Sequence, residues 1–167
     1  MKIAITQPTF LPWQGYFALI NYVDEVVFLD DIQFEKRSWQ QRNKIKFLEK
    51  EVIITVPVIS KNRFSQKINE VYIDKKATYI RKHKASILQN YSKAKHFDRY
   101  INKIFDIYEK DFSLLLDLNI NLIKFFLKEL NINTKVSFSS EMGLSEKKQF
   151  LIDKICNVKK CKEYIST

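Results

Sequence analysis

Residues 2–31 read KIAITQPTFLPWQGYFALINYVDEVVFLDD, and two short apolar runs inside this stretch decide the fold. Residues 2–6 have the pattern of a buried strand, stopped at Gln7-Pro8 because proline cannot donate to a sheet ladder. Val26-Val27-Phe28-Leu29 is apolar without alternation, the mark of a strand covered on both faces. Between them a helix is expected from about Trp13 to Tyr22. Strand, helix and strand in so short a span predict a βαβ unit whose two strands are adjacent and parallel.

Outward from that unit the pattern stays mixed. Residues 44–47 and 52–56 flank a short polar turn and predict a β-hairpin closed by Pro57, and residues 68–73 read as a further strand. From Thr78 the period becomes helical: Tyr79, Ile80, His83, Ile87 and Tyr91 share one face, and Phe97, Ile101, Ile104 and Tyr108 form a second stripe. A third helix is expected from an N-cap at Ser113 to Leu130. Strand 136–138, helix 146–157 and strand 163–166 repeat the first pattern. The expectation is one α/β domain over residues 1–167, with an N-terminal βαβ unit and β-hairpin, a helical middle and a further βαβ element at the C-terminus.

Composition narrows the class. A chain of 167 residues with 46% apolar and 29% charged residues folds and is not disordered. No apolar run reaches the ~18 residues of a membrane helix, and the start lacks a signal-peptide pattern, so the cytoplasm is the expected compartment. The net charge of +10 invites a polyanion reading. However, 24 of the 29 basic residues are Lys scattered along every helix, so nucleic acid is not an expected partner. Cys156 and Cys161 are too few for a disulfide framework, and no second His or Cys stands at ligand spacing, so no metal is expected.

Scarce residue types gather in the N-terminal quarter: Trp13, Trp39, Pro8, Pro12, Gly15, Arg37 and Arg42. That quarter holds the ends of both strands of the first βαβ unit, where open α/β sheets bind ligands. In the first loop Gln7 can orient polar groups, Trp13 and Tyr16 can wall a pocket, and Gly15 permits close approach where helix N–H groups face an anion. At the second strand end Asp30 and Asp31 are candidate bases, while Lys36 and Arg42 offer phosphate donors. Gln33 and Asn43 add amides, and Trp39 can stack on a base or sugar or serve as core or lid. Opposite charges this close can equally pair with one another. His83 is the third candidate base, with a packed core histidine as the alternative.

Two motifs carry a resemblance. Gln7-Pro8-x-Phe10-Leu11-Pro12-Trp13-x-Gly15-Tyr16-Phe17 and Asp30-Asp31-x-Gln33-Phe34-x-Lys36-x-x-Trp39-x-x-Arg42-Asn43-x-Ile45 closely resemble the signature of the bacterial WbqC-like family. Lys82-His83, Tyr91-Ser92-Lys93-Ala94 and Ser139-Ser140-Glu141 are similar to its further elements. Gln41 stands where the family usually has Asn, and the chain ends on an apolar strand where relatives continue through further strands. The resemblance implies a cytoplasmic protein of surface-polysaccharide or related biosynthesis, without naming a cofactor. We expect an acyl or aminoacyl transferase acting on a nucleotide-linked amino sugar. The alternative is a noncatalytic relative that keeps a ligand pocket or joins an assembly, and a nucleic-acid binder ranks behind both.

Overall fold

The computed structural model describes residues 1–48, 50–144 and 149–166. Strand β1 (Lys2–Thr6), helix α1 (Gln14–Tyr22) and strand β2 (Glu25–Phe28) form the expected βαβ unit. The strands are parallel neighbours, with Ile3 opposite Glu25 and Thr6 opposite Phe28. Strands β3 (Arg42–Phe47) and β4 (Lys50–Thr55) make the antiparallel hairpin, followed by helices α2 (Tyr79–Tyr91), α3 (Phe97–Glu109) and α4 (Leu115–Glu129). Strand β5 (Lys135–Phe138), helix α5 (Gln149–Val158) and strand β6 (Glu163–Ile165) return to the first sheet. Its four strands run parallel in the order β5-β2-β1-β6, so chain order reverses between β1 and β6. The last βαβ element therefore spans the whole sheet, with β2 and β1 between its two strands.

Period-two geometry explains why β1 and β2 are apolar throughout. Ile3, Ile5 and Val27 face α5, packing on Leu151 and Ile155, whereas Ala4, Val26 and Phe28 face α1 and α4. Helix α4 serves two cores. Its Ile120, Ile123 and Leu127 cover the sheet, and its Leu115, Leu118 and Leu122 pack beneath the hairpin with Ile54, Val56, Ile68 and Tyr108.

Two local readings are corrected. Residues 68–73 do not form a strand: Ile68–Glu70 is a single 3-10 turn, and beyond it come isolated bridges of Ile73 to Val58 and of Tyr72 to Leu114. The N–H groups of Ile68 and Asn69 donate to the carbonyls of Ile32 and Asp30, which ties this segment across the end of β2 and leaves no ladder to extend. The apolar spacing there records burial of Ile68, Val71 and Ile73 alone. Helix α4 starts one residue later than a Ser113 cap requires, from an extended Leu114 without a side-chain cap. The expected first residues of the 146–157 helix lie outside the described residues, which take up α5 at Gln149.

Candidate functional site

The loop after β1 is bound to the rest of the fold mainly by amides. Asn119 of α4, fully buried, donates from Nδ2 to the carbonyls of Pro8 at 3.0 Å and Gln40 at 2.8 Å. Asn43 at the start of β3 donates to the carbonyls of Phe10 at 3.0 Å and Leu11 at 2.7 Å. Gln40 Nε2 donates to Gln7 Oε1 at 2.8 Å, and the Phe10 N–H to the Trp39 carbonyl at 2.9 Å. These bonds hold Leu11 at φ 45°, a left-handed conformation that a leucine adopts only under outside constraint. The Tyr16 hydroxyl donates to the Gln7 carbonyl at 2.9 Å from within the core, and burial pushes that phenol well above its ordinary range. Trp13 is 62% exposed and its ring lies over Gly15, where a Cβ would come within 1.9 Å of the indole. Glycine lets the indole lie there, and a side chain at that position would displace the exposed Trp13 ring.

Asp30 and Asp31 lie beside this loop at the same, carboxyl end of the sheet, since the Leu29 N–H donates to the Thr6 carbonyl at 2.8 Å. Asp30 is buried and accepts three bonds from the segment after β5: Ser139 Oγ at 3.2 Å, the Ser140 N–H at 3.0 Å and Ser140 Oγ at 2.7 Å. Asp31, half-buried, contacts the Ser139 hydroxyl, while the Asp30 N–H donates to Ser139 Oγ at 3.3 Å. Neither carboxylate has an ion pair among the described residues. The alternative in which these acids pair with Lys36 or Arg42 is not realised among the described residues; neutral donors from the turn after β5 take that place.

Segment 33–43 folds over this edge. Gln41 is buried, with its Nε2 donating to the Val56 carbonyl at 3.3 Å and its Oε1 accepting from the Arg37 N–H at 3.2 Å. The Gln that departs from the family pattern therefore fixes the turn. Gln33 is exposed and donates to the Phe64 carbonyl at 3.0 Å, with the Lys36 ammonium 5.5 Å from the Phe64 ring. Trp39 is 52% exposed, which excludes a core role. Arg42 is half-buried, and its guanidinium has neither hydrogen bond nor ion pair among the described residues.

His83 stands apart from the strand ends, on α2 beneath the hairpin and in ring contact with Phe10, Tyr79 and Tyr108. Its Nε2 lies 3.1 Å from the Thr55 carbonyl, which fixes the hydrogen there, and its buried Nδ1 has no partner among the described residues. Burial lowers its pKa to about 4, only partly opposed by the Thr55 bond. His83 lines a 390 Å³ groove between β4 and α2, together with Val52–Thr55, Pro57, Ala77, Thr78, Tyr79, Lys82 and Ser86. None of the strand-end residues lines that groove. Among the described residues no group of three or more His, Cys, Asp and Glu side chains is gathered to hold a metal ion.

Sequence reading missed Gln40 and Asn119 altogether and gave Ser139 and Ser140 no role. Asn119 left a signal, an amide on the apolar face of a Leu- and Ile-rich helix; the serines left only their place after a strand. No helix among the described residues is long and apolar enough to cross a membrane.

Comparison with known proteins agrees with the motif reading. No solved structure matches the chain. The "Uncharacterized protein Rv1507c" of Mycobacterium tuberculosis (strain ATCC 25618 / H37Rv) is 37% identical over 166 residues, covering 99% of this chain and 71% of that relative. The description of the WbqC-like protein family matches residues 7–167. By this match and the relative's identity, the chain belongs to the WbqC-like protein family.

Proposed function

We propose that this chain acts in bacterial surface-polysaccharide or related biosynthesis, in the cytoplasm, transferring an acyl or aminoacyl group to the amine of a nucleotide-linked amino sugar. One juxtaposition carries the reading: the loop after β1 and the carboxylates after β2 lie side by side at the carboxyl edge of a parallel sheet. Open α/β sheets receive ligands at that edge, near the point where strand order reverses. The first turn of α1 follows the same loop and adds N–H groups for an anion. Arg42 offers a planar fork for phosphate and Lys36 a second cation, while the exposed rings of Trp13 and Trp39 cover the sugar or base. Gln7 and Gln33 orient polar groups; Asn43, Gly15 and Tyr16 act through the loop they support.

In the transfer, the amine nitrogen attacks the acyl carbon as Asp31 accepts its proton. The N–C bond forms, and the bond from the acyl carbon to its leaving group breaks with the electron pair departing on that group. Asp30 positions Ser139 and Ser140, and His83 belongs to the acyl side. The full engagement of Asp30 by serine donors supports a second reading, a ligand-binding relative without chemistry. Calorimetric titration with a nucleoside-diphosphate-linked amino sugar tests the site. Arg42→Lys and Arg42→Ala are expected to weaken binding by ~1–3 kcal/mol with little change in thermal midpoint. Unchanged binding with a large loss of stability makes Arg42 structural and overturns the phosphate assignment. Appearance of an N-acylated product by mass spectrometry separates the transferase from the binding protein.

A further inference from the structure

The hairpin carries an edge that the strand-end site leaves unused. The Val56 N–H donates to the Gln41 carbonyl at 2.8 Å, and Arg42 stands opposite Thr55. Hydrogen-bonded pairs in an antiparallel ladder recur at every second position. Asn43 with Ile54 and Ile45 with Val52 therefore bond across the hairpin, and Thr55 and Ile53 turn their N–H and C=O groups outward. Two contacts match this phase. The outward Lys46 N–H of β3 bonds to the Tyr91 hydroxyl at 2.9 Å, and the outward Thr55 carbonyl of β4 bonds to His83 Nε2 at 3.1 Å. Ile53 is next along the outward edge; it is 52% exposed and its outward groups have no partner among the described residues.

That edge is one wall of the 390 Å³ groove, and α2 is the other. Val52, Ile54 and Pro57 make much of the lining apolar, whereas Lys82 brings an exposed ammonium without an ion pair among the described residues. His83, held as the Nε2–H tautomer, has an acceptor at Nδ1 that is buried and unpartnered. An occupant matching the strand edge, the apolar lining and Lys82 is extended and largely apolar, carries amides that pair with a strand edge and ends in an anion. A strand-adding peptide needs a longer run. The outward edge offers Ile53 alone, because the Thr55 carbonyl is taken by His83 and Glu51 lies outside the groove.

We infer that the groove between β4 and α2 receives the phosphopantetheine arm of an acyl-thioester donor, with an amide of the arm on Ile53 and its phosphate at Lys82. This rests on the transfer reading above and adds to it the donor. The test is titration of 4′-phosphopantetheine into the isotope-labelled full chain, followed by NMR, with pantetheine and a blocked tripeptide as comparison probes. Shifts are expected at Ile53, Lys82 and the His83 ring, and removing the phosphate is expected to weaken binding about tenfold, as for loss of a charge-assisted contact. Lys82→Glu, at an exposed position, should weaken phosphopantetheine binding at least as much and leave pantetheine binding unchanged. Ile53→Pro removes an outward donor without removing a ladder bond and should weaken both pantetheine probes. Should Ile53→Pro fail to fold, Lys82→Glu decides the matter alone. The inference is overturned if phosphopantetheine leaves those resonances unmoved, binds Lys82→Glu as tightly as the parent, or binds less tightly than the tripeptide. Amino-sugar nucleotide binding is read separately at Gln7 and Asp31, so failure of the donor site is distinguishable from failure of the transfer reading.

Discussion

Glu25 opens β2 and Asp30 lies just past its other end; both are almost wholly buried, at 1% and 4% exposure, yet their surroundings differ in kind. Glu25 meets cations, Lys159 at 2.6 Å and Lys135 at 3.4 Å, together with the Ser137 hydroxyl at 2.7 Å. Burial pushes its carboxyl up, but Lys159 and Ser137 outweigh burial and hold it below the ordinary carboxylate range. Asp30 meets only hydroxyls and a backbone N–H among the described residues. A charge closed off by lysines serves the fold, whereas one held by neutral donors leaves its field directed at whatever occupies the strand ends. The amino end of the sheet is thus electrostatically closed and the carboxyl end open.

The most direct way to break this contrast is Glu25→Ala, which takes the acceptor from the largely buried Lys159 ammonium and the Ser137 hydroxyl while Lys135 stays solvated, and is expected to cost about 3 kcal/mol in urea unfolding. Because the folded carboxyl lies below its unfolded value, its contribution is present above the usual carboxylate pKa and lost as pH falls through the lowered one. His83 sharpens the comparison as a buried group kept neutral. Its pKa falls from 6.5 to about 4 on folding, so the unfolded chain binds the extra proton in that window. Stability should therefore decline from about pH 6.5 to about pH 4, by about 3 kcal/mol in all, and His83→Gln should flatten that part of the profile. The smallest effect is expected for Asp30→Asn. The amide keeps an acceptor for the Ser140 N–H, and the serine hydroxyls can turn to accept, so about 1 kcal/mol is lost. A thermal melt placing Asp30→Asn level with Glu25→Ala dissolves the distinction between the two ends.

Sequence patterns revealed the parallel βαβ unit because Pro8 bounded one apolar run, a helical segment followed, and four apolar residues stood together in the other. They also marked His83 as a packed position through its spacing from Tyr79 and Ile87. They misread residues 68–73, since apolar side chains recur in a turn that lies across a core much as they do in a strand. The partners at the site were invisible for a physical reason. Ser139 meets Asp30 across 109 positions and Asn119 meets Pro8 across 111, and bonds of that range leave no local period. Arg42 was legible as a planar cation in a lysine-rich chain, but that it has no acidic partner among the described residues emerged only from the fold.

Helix α4 belongs to the sheet core and to the hairpin core at once, and Asn119 sits on it between the residues of each. The two halves are consequently one cooperative unit for amide exchange: opening that lifts α4 from the hairpin also loosens its grip on Pro8 and Gln40. Protection of the α4 amides then reports on the loop after β1, and the slowest-exchanging hydrogens should be shared between the sheet and the helical middle.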